Sequence, residues 1–361
     1  MEEPKYAEKI NQNEVICKNC AAKLSFKPGT TSLTCEYCGA DNPIEVKSEP
    51  IEEIDFLSFI ENKAQEAPTM QVSTVKCEAC GAQTTFNPSI VSDSCAFCGN
   101  NIVIKGGTTQ NIIKPKSLLP FAIEQKQGVE LFKKWLGGLW FAPSNLKKYA
   151  RQDGRLTGIY VPYWTYDSDT RTYYTGEQGI DRTETYEENG QTRTRTVTDW
   201  YSVSGNVSRA FDDVMVVASN SLPMKHVDGL EPWDLNNLIS FDERFLSGFK
   251  AESYQVDVKS GFEVAKGKME VVIRQDVRAD IGGDKQRIDS IDTSYNDITF
   301  KHILLPIWIS AYKYNNKVYR FLVNGRTGEV KGERPWSWIK ITLAIILVLA
   351  IIGGIVYLAN K

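Results

Sequence analysis

The feature that most constrains this chain is a cysteine spacing that occurs twice. Two cysteines separated by two residues are followed, after fourteen residues, by a second pair of the same kind. The two sets contain all eight cysteines of the protein, which are Cys17, Cys20, Cys35 and Cys38, and Cys77, Cys80, Cys95 and Cys98. Each pair on a tight turn supplies half of a tetrahedral four-thiolate site. The spacing therefore predicts two small metal-binding ribbons, over residues 14–47 and 74–106.

Zinc is the metal that this spacing favours, with one structural Zn2+ in each ribbon and so two ions in the chain. A unit of about 33 residues is too small to bury a useful core. Metal binding, worth about 10–16 kcal/mol, must therefore supply most of its folding free energy. Iron in a rubredoxin-like site, disulfide pairs and a catalytic zinc stay open as alternatives. Four protein ligands disfavour a catalytic ion because they leave no position for water.

The residue after the second cysteine of each turn often needs a positive φ, which glycine accepts without a steric cost. Gly39, Gly81 and Gly99 occupy that position in three of the four turns. Ala21 occupies it in the first turn. We therefore expect the first turn to be strained or to have a different shape.

The charge of the ribbons argues against nucleic acid as their partner. Each ribbon carries equal numbers of acidic and basic residues, and neither contains an arginine. The whole chain has 42 basic and 45 acidic residues, a net charge of −3. Nucleic-acid binding leaves a basic footprint that is missing from this pattern. Ribbons that contact protein, or that are purely structural, are the favoured interpretation.

A hydrophobic segment lies at the other end of the chain. Residues 341–359 contain no charge, and at 1.5 Å per residue they extend about 28 Å, close to one hydrocarbon thickness. Trp336 and Trp338 lie just before this segment and Tyr357 lies near its end, as interfacial aromatic residues do. It predicts a single transmembrane helix that anchors the chain in the cell membrane, with a buried core helix as the alternative. With no export signal at the N-terminus, we expect the soluble domains in the cytoplasm, where cysteines stay reduced.

Two further regions complete the predicted α+β architecture. Residues 48–68 are acidic with apolar residues at three-residue steps, which predicts an amphipathic linker helix that packs on the main domain or docks another protein. Residues 110–335 contain helical stretches near 123–136, 233–249 and 256–277, and β-rich stretches from 158 onward. The sequence predicts one large domain with an antiparallel sheet.

The β-rich stretches contain two similar motifs, VPYW at 161–164 and LPIW at 305–308. Each precedes a tyrosine-rich strand and a polar turn, which predicts a duplicated β unit. Pro162 is expected at a sheet edge or a bulge because proline cannot donate to a strand ladder. Residues 182–203 alternate polar side chains around Asn189-Gly190, which predicts a solvated hairpin.

Patterns typical of catalysis are missing from the sequence. His226 and His302 are its only histidines, and no phosphate-binding loop, nucleophile elbow or metalloprotease motif is present. Trp164, Tyr166, Trp308 and Tyr312 are expected in the sheet core, with a ligand groove as the alternative. We therefore predict a protein that is not an enzyme.

Several motifs together carry a resemblance to a known family. They are the paired ribbons, GIYVPYW at 158–164, LLPIW at 304–308, NGRTG at 324–328 and GERPWS at 332–337. With these, the chain resembles bacterial tail-anchored double zinc-ribbon membrane proteins. The resemblance implies partnership with phage-shock-type membrane-remodelling proteins and flotillin-like scaffolds of envelope-stress operons. Members of this family often carry labels borrowed from a primosomal helicase or a general transcription factor, whose motor motifs are missing here.

The resulting hypothesis is a membrane adaptor whose cytosolic ribbons hold membrane-associated proteins at the inner membrane face. The alternatives are a membrane-tethered nucleic-acid regulator and an enzyme with its site in the β domain. Ala350 and Gly354 form a small-xxx-small pair that could support helix pairing, so an oligomer is compatible with the sequence.

Overall fold

The computed structural model describes residues 15–46, 51–61, 68–85, 92–103, 108–144, 146, 156–315 and 317–359. Residues 48–50 and 62–67 of the predicted linker helix lie outside these residues. The described chain has the predicted α+β architecture, with one large sheet, two four-cysteine clusters and a C-terminal apolar helix.

Most strands of the described chain are short, whereas three are 27 to 32 residues long. In chain order they are β1 Leu24–Phe26, β2 Ser32–Cys35, β3 Asp41–Pro43, β4 Ile54–Asp55, β5 Thr69–Lys76, β6 Gln83–Thr85, β7 Ser92–Ser94, β8 Asn101–Val103, β9 Thr108–Ile113, β10 Ser117–Leu118, β11 Thr157–Glu188, β12 Gln191–Val217, β13 Ile239–Ser240, β14 Lys250–Ala251, β15 Lys285–Tyr314, β16 Lys317–Asn324 and β17 Val330–Gly332.

The helices of the described residues are α1 Phe56–Glu61, α2 Gln125–Gly137, α3 Met224–Asp228, α4 Val258–Ile281 and α5 Trp338–Ala359. Helices α2 and α4 fall where the periodicity predicted them, and an N-terminal carboxylate caps each one, Glu124 in a capping box and Asp257 through Ser260 N–H. The stretch at 233–249 is instead two 3-10 turns and a two-residue strand, so the helix predicted there is wrong.

The large sheet is built around the antiparallel pair β11 and β15. Strand β12 returns along the outer side of β11, and β16 returns along the outer side of β15. Two short strands add parallel pairs, β14 on β11 and β10 on β15. The sheet is therefore mainly antiparallel, as predicted, with a short parallel pair on each of its central strands.

These pairings have a local two-fold symmetry that confirms and extends the predicted duplication. In register, Val161 faces Leu305, Pro162 faces Leu304, and Tyr160 faces Pro306. One copy is β10–α2–β11–β12, and the other is β14–α4–β15–β16. The repeated unit thus includes a helix and an N-terminal strand, neither of which the sequence motifs indicated.

The prediction that Pro162 lies at an edge or a bulge is wrong. Pro162 lies between β12 and β15, and the nearest shift of register begins at Tyr166. Its carbonyl accepts from Ala218 N–H (2.9 Å), just beyond the end of β12, and Pro306 accepts from Gly325 N–H (2.8 Å) just beyond β16. Each proline therefore lies beside the end of the neighbouring strand. No strand–strand hydrogen bond there requires the backbone N–H that proline lacks.

Both faces of the central sheet are covered. One face packs against α2, α4 and the first ribbon (residues 15–46), through residues such as Tyr160, Trp164 and Trp308. The opposite face, with Ile159, Val161 and neighbouring strands, packs against the second ribbon (residues 68–85 and 92–103) and the segment around α3. The two ribbons are therefore layers of one body.

The linker packs on this body as well. Strand β4 pairs with β15, and Phe56 at the start of α1 is buried against Tyr166, Phe262 and Phe300. Residues 51–55 are not helical, so the helix begins later than the pattern predicted, at Phe56. Its apolar face is used for packing on the main domain.

The outer parts of β11 and β12 form the solvated hairpin that the sequence predicted. No residue beyond Gly179 in β11, or before Met215 in β12, is fully buried. Asn189 and Gly190 both have positive φ, 54° and 72°, as the predicted two-residue turn requires. With the adjoining part of β15, these strands make an extended arm.

Candidate metal centres

Each four-cysteine set folds into two turns with the same backbone geometry. The N–H of the residue after the second cysteine donates to the carbonyl of the first cysteine, at 2.8 to 2.9 Å in all four turns. The N–H of the first cysteine donates to the carbonyl five residues later, at 2.8 to 3.0 Å. Short β-hairpins carry these turns and bring the two halves of each site together.

The sulfur atoms of each set lie close to one another. In the first ribbon Cys17 Sγ is 3.6 Å from Cys38 Sγ, and Cys20 Sγ is 3.5 Å from Cys35 Sγ. In the second ribbon the corresponding distances are 3.7 Å and 3.6 Å. All four sulfurs of each set lie within 4.8 Å of one another.

These distances fit a tetrahedral metal ion. With metal–sulfur bonds of about 2.3 Å, the edges of a tetrahedron measure about 3.8 Å. A disulfide would bring two sulfurs to about 2.05 Å, and all eight cysteines have free thiols. The structure brings together every ligand that the sequence predicted, in two sets that could each hold one ion. Zn2+ and iron both fit four thiolates.

The backbone of each turn favours the thiolate form that binds metal. In the first ribbon, the N–H groups of Asn19 and Cys20 lower the pKa of the Cys17 thiol to about 7. The Asn19 N–H lies 3.4 Å from Cys17 Sγ. Such N–H···S contacts stabilise negative charge on sulfur. At this position they stabilise the Cys17 thiolate.

The first turn has the same shape as the others, although alanine replaces glycine. Ala21 has φ of 57°, while Gly39, Gly81 and Gly99 have φ of 70°, 77° and 74°. Left-handed backbone costs an alanine about 1–2 kcal/mol. The expected strain is therefore present, and the expected change of shape is not.

The second ribbon uses its second metal-binding turn for internal packing. Phe97, between Cys95 and Cys98, is 0% exposed and packs in the cluster that contains Leu119, Val161 and Trp233. Arg320 Nε donates to the Phe97 carbonyl at 2.8 Å. This turn is part of the domain core.

The first ribbon presents the equivalent turn to solvent. Tyr37, between Cys35 and Cys38, is 82% exposed, and Cys20 and Cys38 are exposed as well. This ribbon is held from its other side, where Phe26 contacts Phe245 with ring centroids 5.0 Å apart and Gly29 N–H donates to the Phe121 carbonyl. The contrast between Tyr37 and Phe97 was not predicted, because both are aromatic residues at the same place in the spacing.

A third group of candidate metal ligands is acidic and consists of Asp167, Asp212 and Asp213. The side chain of Lys301 already supplies a positive charge at this group. Lys301 Nζ lies 2.8 Å from Asp213 Oδ1 and 2.8 Å from Glu53 Oε1. Burial disfavours the charge of Lys301, but these two carboxylates outweigh burial and raise the pKa of Lys301. The cluster therefore fastens the linker to the sheet.

The remaining residues singled out in the sequence have structural surroundings. His302 is buried between Trp164 and Tyr254, its Nδ1 lies 2.8 Å from the Ile113 carbonyl oxygen, and burial lowers the pKa of His302 to about 4. His226 is the central residue of α3 and is partly buried. Trp164, Tyr166 and Trp308 lie in the sheet core as expected, while the side chain of Tyr312 lies outside the described atoms.

Helix α5 agrees with the predicted membrane segment. Its 22 residues extend about 33 Å, and none of them is buried against the rest of the described protein. Length and composition make it a helix able to cross a membrane. It begins three residues before the predicted segment, at Trp338.

Fold and sites together define an α+β protein with two four-cysteine ribbons that could each hold a metal ion and one C-terminal apolar helix. No protein-family model matches the chain, and no solved structure matches it. It is 26% identical over 350 residues to the uncharacterized protein YdjG of Bacillus subtilis strain 168. That alignment covers 94% of this chain and 98% of the relative.

Proposed function

We propose that this protein is a tail-anchored membrane adaptor. In this proposal α5 crosses the cell membrane, two structural Zn2+ ions rigidify the ribbons, and the soluble domain lies in the cytoplasm. The first ribbon then holds a membrane-associated protein at the inner face of the membrane. The observation that carries the proposal is the exposed Tyr37 between Cys35 and Cys38, two of the four candidate ligands of the first ribbon.

An aromatic residue in this position is suited to protein recognition. Tyrosine is enriched among residues that dominate binding energy, because its ring buries a large area at a low cost in conformational entropy. The turn between Cys35 and Cys38 is closed by the Gly39 N–H bond at 2.9 Å, so its backbone is already ordered before binding. The equivalent Phe97 shows what such a ring does when it has a partner surface, because it is fully buried.

Zinc is favoured as the resident ion because the donor set is complete. Four thiolates satisfy tetrahedral Zn2+ and leave no open position, which is the arrangement of structural sites. A reducing cytoplasm keeps the cysteines available as ligands. Bound zinc would hold the two hairpins of each ribbon together, with no part in a reaction.

The resemblance noted in the sequence supports a class of partner. It points to phage-shock-type membrane-remodelling proteins and flotillin-like scaffolds in envelope-stress operons. Such partners lie on the cytoplasmic membrane surface, and α5 would keep the folded domain with its first ribbon at that surface. An envelope-stress role is therefore the setting in which we propose that the adaptor acts.

The proposal is tested with a photocrosslinking amino acid placed at position 37 of the full chain in cells of the native organism. We expect discrete crosslinked species from the membrane fraction. The matched control places the same amino acid at Tyr173, which is 52% exposed on the arm. Mass spectrometry of the crosslinked bands then identifies the partner.

Three outcomes would contradict the proposal. Crosslinks that are the same at both positions would remove the role of Tyr37 in docking. Crosslinks to nucleic acid from position 37 would favour the regulator hypothesis over the adaptor. Release of the chain from membranes by alkaline carbonate would remove the anchor, whatever the crosslinks show.

A further inference from the structure

A second candidate membrane contact lies beside the start of α5. The loop that follows α2, residues 138–142, ends in Trp140, Phe141 and Ala142; we name it the aromatic loop. Trp140 is 84% exposed, the highest exposed fraction among the large hydrophobic residues of the described chain. A soluble surface gains nothing from displaying a tryptophan ring in this way, whereas membrane interfaces are enriched in tryptophan.

The aromatic loop is bonded directly to the beginning of α5. The Ser337 N–H donates to the Phe141 carbonyl at 2.7 Å. Lys340 Nζ donates to the Ala142 carbonyl at 2.8 Å and to the Trp140 carbonyl at 3.3 Å. Because the uncharged segment begins at Ile341, these bonds place the loop at the level where a spanning helix enters the bilayer.

An apolar groove continues from this loop along the helix. It has a volume of about 440 Å³, and its walls are almost wholly apolar. The residues that line it are Phe141, Trp336, Ile341, Ala344, Ile345, Val348 and Leu349. The groove therefore runs from the loop about 12 Å along α5, at 1.5 Å per residue over residues 341–349. An acyl chain fits both its apolar lining and its position.

Basic residues accompany the aromatic ones. Lys133 and Lys134 are exposed in the last turns of α2, just before the loop. Arg334 lies over the Trp336 ring at 4.4 Å, next to the start of α5. Clustered lysine and arginine beside a membrane attract anionic lipid headgroups.

We propose that the aromatic loop is a second membrane-binding element, which inserts Trp140 into the interface of a bilayer with anionic headgroups. The loop and α5 then make two contacts with one lipid surface, so the folded domain has a fixed orientation on the membrane. This inference rests on the proposed function, because it requires that α5 spans the bilayer. The lipid surface is the occupant that both the aromatic and the basic residues fit.

The test uses the full chain labelled with 5-fluorotryptophan in lipid nanodiscs of phosphatidylcholine with phosphatidylglycerol. The chain has eight tryptophans, and Trp140→Phe assigns the fluorine resonance of position 140. A lipid spin-labelled at its headgroup should broaden the resonances of Trp140 and Trp338 beyond detection. Trp200 is the control, and it pairs with Gly179 of β11. Gly179 lies on the order of 70 Å along this strand from its first residue, Thr157, which is beside α2.

The outcomes separate this inference from the proposed function. If Trp338 broadens while Trp140 stays as sharp as Trp200, the loop does not reach the bilayer and the inference is wrong. If neither Trp140 nor Trp338 broadens, α5 is not in the membrane and the proposed function fails first. Broadening of Trp140 that disappears in nanodiscs without phosphatidylglycerol, or in a Lys133→Glu, Lys134→Glu variant, would confirm the anionic preference. Equal broadening with and without anionic lipid would overturn that preference.

Discussion

Trp164 and Trp308 are related by the local two-fold axis of the central sheet, and each packs under the helix of the other repeat. The Trp164 Nε1–H donates to the Val256 carbonyl, and the Trp308 Nε1–H donates to the Ile123 carbonyl, both at 2.8 Å. Each accepting residue lies just before a helix, α4 or α2. The two copies of the duplicated unit are therefore interlocked, and neither can bury its tryptophan alone.

A glycine in each helix makes room for this packing, which gives a first prediction. A Cβ at Gly261 would overlap the Tyr166 hydroxyl and lie 3.0 Å from Trp164 Cδ1. Overpacking of this kind costs about 1–3 kcal/mol. We expect Gly261→Ala to lower the free energy of unfolding of the detergent-solubilised chain by about that amount, measured by denaturant titration.

The control is Gly267→Ala in the same helix, where an added Cβ meets no atom within 4 Å. This change should stabilise the protein by about 0.5–1 kcal/mol, since alanine is the better helix former. Equal changes in the free energy of unfolding for the two substitutions would show that there is room for a Cβ between Gly261 and Trp164.

The left-handed residue of each metal-binding turn gives a second prediction. Ala21→Gly should relieve strain and tighten metal binding in the first ribbon by about 0.5–1 kcal/mol, because glycine adopts its φ without a steric cost. Gly39→Ala should weaken binding by about 1 kcal/mol for backbone reasons alone, since a Cβ there meets no atom within 4 Å. Competition with a chelator measures both. Changes in the same direction would contradict the shared geometry.

Loss of each metal should have unequal consequences for the domain. Cys38→Ser and Cys98→Ser should each reduce the bound metal from two ions to one, measured by mass spectrometry of the metal content. The second substitution loosens the turn that holds Phe97 in the core, so it should cost about 2–3 kcal/mol more of domain stability. The first loosens a turn whose Tyr37 is in solvent. Equal losses of stability would argue that Phe97 stays packed without metal.

The sequence predicted the ligands, and the structure added the environment of each ribbon. Cysteine spacing is a local property, so it indicated all eight candidate ligands from the chain alone. Whether Tyr37 or Phe97 is buried depends on which sheet face the turn meets, which is a long-range property. The aromatic loop and the start of α5 are likewise far apart in the sequence, and folding brings Trp140 and Lys340 together.

The long strands show a second limit of sequence prediction. The part of β15 before Ile298 was missed because its apolar residues do not alternate regularly. Thr175 pairs with Ser290, and the next residue, Gly176, pairs with Ile288, so β15 has one extra residue at this point. Ile288 and Ile291 therefore both face α4, although they are three residues apart. A bulge of this kind breaks the period of two on which strand prediction depends.

A buried carboxyl group predicts an unusual pH dependence. Glu252 is 3% exposed, its Oε1 accepts from Ser219 Oγ and Gln255 Nε2 at 2.9 Å each and from Ser221 Oγ, and its Oε2 has no partner within the described residues. Burial raises the pKa of Glu252 from 4.5 to about 7. Between those pH values the folded chain holds this proton and the unfolded chain does not, so stability falls as pH rises.

The size of this effect is about 3 kcal/mol, from 1.36 kcal/mol per pKa unit. Glu252→Gln should therefore stabilise the protein by up to that amount at pH 8 and have little effect near pH 4.5. Denaturant titrations at both pH values measure the difference. The control is Glu263→Gln on the exposed side of α4, which should shift stability equally little at both. A Glu252→Gln effect independent of pH would show that the carboxyl is ionised without penalty.

The tip of the arm should be dispensable for folding. Deleting residues 183–188 and 191–196 would place Asn189-Gly190 directly between Arg182 and Val197, which already pair with each other. The register of β11 and β12 would be kept because each strand loses six residues. None of the deleted residues is buried, so the free energy of unfolding should change by no more than about 0.5 kcal/mol. Tyr174→Ala, closer to the core, should cost about 3 kcal/mol, because Tyr174 packs against α4 and donates to Asp280 Oδ2 at 2.6 Å. A tip deletion as costly as Tyr174→Ala would mean that the arm folds as one cooperative unit from Gly179 to its end.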